Sequence, residues 1–138
     1  MSILKEKSIF NIEAAKLLND NNLFAPSVHC SYYSCLQLMK VAMLEFKGIS
    51  LKDLESEITN AKNTKNLNSH SYIIKEICDL LRNDSKADHS LFERKINQLK
   101  KYRTKSDYEE VEITTTESLK AFDFAKEIRT QLKDTFHV

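Results

Sequence analysis

Glycine and proline each occur once in the chain of 138 residues, at Gly48 and Pro26. Sheet-rich folds need many tight turns, and tight turns recruit those two residues. Their scarcity excludes most β architectures and predicts long helices joined by polar loops. Cysteine is also sparse. Cys30, Cys35 and Cys78 make an odd set without a C-x-x-C pair, which argues against a disulfide framework or a zinc site and for free thiols in a reducing compartment. No apolar run approaches ~18 residues, and Met1 to Glu6 lack the apolar core of a signal peptide, so the expected location is the cytoplasm, with no membrane partner.

Charge of one sign is missing too. With 21 basic and 20 acidic side chains the formal net charge is +1, so any attraction for nucleic acid must come from a local site. A single glycine rules out a glycine-rich phosphate loop, and no G-x-S-x-G elbow is present. His29, His70, His89 and His137 share no metal-ligand spacing. No metal and no cofactor are implied.

What is present is helical periodicity. The length suits one domain, residues 1–138, with one core. A first helix from about Ser2 to Asn19 is expected to turn Ile3, Phe10, Ala14, Leu17 and Leu18 inward. A second starts near Pro26, carries Val28, Tyr32, Cys35, Leu36, Met39, Met43 and Phe46, and stops at Gly48. Being apolar over much of its circumference, it is expected to be central. A short helix runs from Ser50 to about Ala61, followed by a polar stretch from Lys62 to Ser69. A further helix carries Ile73, Ile77, Leu80 and Leu81. Capping boxes at Ser90–Glu93 and Thr114–Glu117 open the last two, with Phe92, Ile96 and Leu99, then Leu119, Phe122, Ala125, Ile128 and Leu132, inward. The expected fold is all-α: an up-and-down helical bundle of four to five main helices plus a short extra one.

Two features break this pattern. Extending the core stripe of the fifth helix by one turn from Leu99 reaches Arg103, and a guanidinium without partners is costly to bury. Arg103-Thr104-Lys105-Ser106-Asp107-Tyr108 then gathers cations, hydroxyls, a carboxylate and a phenol. Such a block is either a solvated helix end, with Arg103 paired to Asp107, or the wall of a cleft. The neighbours Tyr32 and Tyr33 diverge by about 100° on a helix, so only one can face the core and the other lies at a groove or interface.

Ser31 to Lys40, with its Tyr-Tyr pair, resembles the second-helix signature of HEPN domains, and Leu99 to Tyr108 resembles their leucine, arginine and Asp-Tyr block. The Thr-rich link and the final helix with Ala121 and Ala125 fit the family's ending, so the resemblance spans about Ile9 to Leu132. It implies a helical bundle that forms a homodimer with a composite cleft around two copies of Arg103. It further implies a nucleotide-, RNA- or partner-binding protein or a metal-independent ribonuclease toxin, in toxin–antitoxin or defence systems. Some members pair with a nucleotidyltransferase-type antitoxin that modifies a tyrosine, and Tyr108 matches that position.

The implied site is Arg103, Lys105, Asp107, Tyr108 and Tyr33, with Arg103 and Tyr108 at the catalytic positions. Here the chain departs from the family's active members. Tyr108 stands where they carry histidine, and a phenol with a pKa near 10 is a poor base at neutral pH. The spacing of Arg82 and His89 mimics the motif, but the pair sits in the preceding loop. The missing histidine favours binding over cleavage. A purely structural helical dimer is the other alternative.

Overall fold

The computed structural model describes residues 2–138; Met1, part of the expected 1–138 domain, lies outside them. Six helices follow one another: α1 (Ile3–Asp20), α2 (Phe24–Lys47), α3 (Leu51–Lys65), α4 (Ser69–Arg82), α5 (His89–Tyr108) and α6 (Thr115–Phe136). Among the described residues there is no strand, and no helix is long and apolar enough to cross a membrane.

Bonds between helices fix their directions. Ser8 with Ser34 and Ala15 with Ser27 set α1 against α2, while Arg103 with Tyr33 and Asp107 with His29 set α5 against α2. Lys105 with Glu117 and Lys95 with Glu127 reverse α6 relative to α5, and Lys100 with Ser71 and Arg82 with Glu93 reverse α4. α1 and α5 thus run opposite to α2, α4 and α6. As expected, α2 is the axis: it packs against α1, α4, α5 and α6 and buries Val28, Tyr32, Cys35, Leu36, Met39 and Met43. Gly48, in the left-handed region at φ 64°, closes it.

The structure corrects four local expectations. Ile3, Phe10 and Leu17 point outward, Phe10 with 63% of its surface exposed. The inner face of α1 is instead small and polar: Ser8 and Ala15 are buried, with Leu4 and Ile12 packed against the core. Ser8 Oγ donates to the Ser34 carbonyl and Ser27 Oγ to the Ala15 carbonyl, each at 2.7 Å. Small residues let α1 approach α2 closely, so apolar patterning marks the wrong side.

The helix expected to end near Ala61 continues to Lys65, where Asn66 at φ 54° stops it and Leu67 folds onto the core. Asp88, not Ser90, caps α5, because its carboxylate accepts from the Leu91 amide. Phe46 and Leu119 are exposed rather than inward. The box at Thr114 and Glu117 forms as read.

Candidate phosphate-binding face

Phe92, Ile96 and Leu99 seat α5 in the core; one turn further, α5 passes over the start of α2 and delivers Arg103 beside the tyrosine pair. The pair divides as helical geometry requires: Tyr32 is fully buried and Tyr33 half-buried. Arg103 Nη2 donates to Tyr33 Oη at 2.9 Å and to Tyr108 Oη at 3.1 Å. Its Cζ lies 5.4, 5.5 and 5.0 Å from the ring centroids of Tyr32, Tyr33 and Tyr108. Three aromatic rings thus hold one cation.

Asp107 completes the clasp. Arg103 Nε lies 3.0 Å from Asp107 Oδ2, an ion pair at contact distance whose N–H is not aimed at the oxygen. Burial works against the charge on Arg103, but Tyr33, Tyr108, Asp107 and Tyr32 outweigh it and push the pKa up. Nη1 has no partner among the described residues. The fork is therefore fixed on one side and free on the other, which suits a phosphate oxygen.

Tyr33, Arg103, Asp107 and Tyr108 are brought together as the sequence suggests. Lys105 is not: its Nζ turns to Glu117 at 2.7 Å, and the hydrogen bond from Lys105 is the main reason Glu117 is held below its usual pKa. Arg82 pairs with Asp79 and Glu93, and His89 opens the opposite end of α5, so their spacing has no spatial counterpart at the site.

Sequence reasoning missed two histidines. His29 Nδ1 lies 2.9 Å from Asp107 Oδ2, and its ring stacks at 4.6 Å on Tyr33. Facing a carboxylate, Nδ1 carries the proton; in the neutral ring Nε2 then keeps its lone pair. His70, at the start of α4, meets Tyr32 Oη at 3.1 Å through Nδ1. Burial, then Arg103, Lys100 and Lys40, depress its pKa to about 4, so it is neutral at pH 7. Burial raises the Tyr32 pKa, so that hydroxyl stays protonated and donates to Nδ1, which leaves His70 Nε2 as the proton carrier. Only the i, i+4 spacing of His29 and Tyr33 on α2 hinted at a shared face.

Lys100 donates to Ser71 Oγ at 2.9 Å, and Lys40 has no ion pair or hydrogen bond among the described residues. Burial and then Arg103 lower the Lys100 pKa. Arg103, Lys100 and Lys40 thus all lower the proton affinity of His70, and Asp107 is the carboxylate that contacts Arg103. No three histidine, cysteine or carboxylate side chains among the described residues converge as a metal-ligand set. The arrangement is a cationic face edged with aromatic rings. No protein-family model, curated protein or solved structure matches the chain.

Proposed function

We propose that the protein is a HEPN-like module that binds the phosphates of a nucleotide or RNA through the face around Arg103. One observation carries the reading: a guanidinium clamped by Tyr33, Tyr108 and Asp107 that keeps Nη1 free, in a cluster where cations outnumber carboxylates. The exposed ring of Tyr108 and the flank of His29 offer surfaces on which a base can stack. A homodimer would set two such faces into one cleft, and a nucleotidyltransferase-type partner would find Tyr108, 71% exposed, open to modification. Fluorescence anisotropy with a labelled single-stranded RNA at low salt tests the reading. Wild type binds with micromolar affinity and Arg103→Ala at least tenfold more weakly; absence of wild-type binding refutes it.

A second reading, a metal-independent ribonuclease, draws support from His29. The acid–base group absent after Arg103 in sequence is available from α2, oriented by Asp107 as metal-free proton transfer requires. His29 Nε2 would take the proton of a 2′-hydroxyl, whose oxygen attacks the adjacent phosphorus. The bond to the 5′ oxygen breaks, and that oxygen takes a proton from the imidazolium, leaving a cyclic phosphate and a 5′-hydroxyl. Arg103 Nη1 would steady the phosphorane charge. His29→Gln should abolish cleavage while binding persists; intact RNA after incubation with wild type removes this second reading.

A further inference from the structure

His29, Tyr33 and Lys40 occur at i, i+4 and i+11 along α2, so they lie within one stripe of that helix, with buried Leu36 between Tyr33 and Lys40. At 1.5 Å per residue the stripe is about 16 Å long. Arg103 sits against it at Tyr33. The far half of the stripe holds a separate group of polar side chains that the Arg103 clasp does not use. The imidazole of His70 stands edge-on to Tyr33, with ring centroids 5.7 Å apart. Next to it on α4, Ser71 Oγ accepts from Lys100 of α5. Lys40 stands two turns beyond Tyr33 on the same stripe of α2.

Neither lysine is neutralised. Lys40 has no ion pair, and the one bond of Lys100 goes to a hydroxyl. Other half-buried lysines here behave differently: Lys47 pairs with Glu57 and Glu76, Lys95 with Glu127, and Lys105 with Glu117. Lys5, on α1, Lys40 and Lys100 are the exceptions; Lys40 and Lys100 are the two whose charges act on His70. Lys100 is also reachable from solvent, lining two open grooves, one with Ser71 and one with Lys101 and Thr104.

We propose that Lys40, His70 and Lys100 form a second phosphate subsite beside Arg103, so that the face takes successive phosphates of one single strand rather than a mononucleotide. This rests on the reading of the Arg103 face given above. In this arrangement Arg103 Nη1 takes one phosphate and the two lysines a neighbouring one. His70 Nε2–H adds a neutral donor between them, and Tyr33 lies beneath the linking sugar. A strand earns both contacts and a mononucleotide only one, so length dependence is the signature.

The test uses the full chain and two probes, a labelled ten-nucleotide oligouridylate and uridine 5′-monophosphate, titrated over a range of salt. Lys40→Gln and Lys100→Gln remove the charge and keep the first half of each aliphatic stem, and the double variant is checked for wild-type thermal unfolding. The expected result is oligonucleotide affinity reduced about tenfold and a salt slope shallower by about 0.7 for the phosphate lost. Mononucleotide affinity stays within about twofold, and Lys100→Arg recovers most of the oligonucleotide binding. If the double variant binds the oligonucleotide with unchanged affinity and slope while Arg103→Ala weakens it, the second subsite is refuted and the Arg103 reading stands. If wild type binds neither probe, both fall.

Discussion

Two arginines pack against α2 from different helices and illustrate different solutions to one problem. Arg129, on α6, is 5% exposed and bonded to Ser8 Oγ and, at 3.3 Å, to the Ser34 carbonyl, with no carboxylate partner. Burial, only partly offset by Cys35, lowers its pKa. Arg103, on α5, keeps its charge among three phenols and a carboxylate and retains a free nitrogen. The first is enclosed by the fold and can meet no ligand without opening the bundle. The second is braced by the fold and left available. Burial of a cation alone therefore does not mark a site; a fixed orientation with an unused donor does.

The comparison breaks most sharply at Arg129. Arg129→Ala removes the donor that Ser8 Oγ and the Ser34 carbonyl share and leaves a cavity, at a cost of about 3 kcal/mol. That is roughly a 10 °C loss in melting temperature for a chain of this size. Arg129→Met, which refills the space without a charge, should recover much of the loss. Calorimetry of both variants checks the ordering. Arg103→Ala should cost only about 1 kcal/mol of stability, and should cut phosphate binding at least tenfold; equal stability losses at the two arginines would erase the contrast.

Asp107→Asn is expected to act in the opposite sense on binding. It removes the internal carboxylate that competes for Arg103, so phosphate affinity rises, by about threefold for a partly exposed charge, while any cleavage falls because His29 loses the negative charge that steadies its imidazolium. Titration and gel assays on the same preparation separate the two effects. His70 gives a pH dependence of stability. Its pKa is about 4 in the fold and about 6.5 unfolded, so between those values the unfolded chain binds the extra proton. Stability should therefore fall as pH drops from about 6.5 to 4 and lose no more to this group below that. His70→Gln should flatten that part of the melting profile. The smallest effect belongs to Lys105→Ala, since that lysine already serves Glu117: a stability loss below about 1 kcal/mol and no change in binding.

The helical fold was legible because α2 is apolar around most of its circumference and because Gly48 and Thr114 punctuate the chain with recognisable caps. The facing of α1 was not, because an interface of serine and alanine carries no hydropathy signal while its outer stripe of Ile3, Phe10 and Leu17 does. Within the site, Arg103, Asp107 and Tyr108 lie within one turn or so of α5 and could be read as a group. His29, His70, Lys40 and Lys100 come from three helices and join only through the antiparallel packing of α4 and α5 about α2. The lysines drew no notice because, in sequence, an unpaired lysine is indistinguishable from a paired one such as Lys105.

The central claim is that Arg103 is held for an external phosphate, whereas Arg129 is held for the fold. Its most direct measurement is the affinity of a labelled single-stranded RNA for Arg103→Ala and Arg129→Met, both folded, across a salt series. Arg103→Ala should show at least a tenfold loss and a shallower salt slope, with wild-type binding for Arg129→Met. Identical affinity and slope for Arg103→Ala and wild type would contradict it.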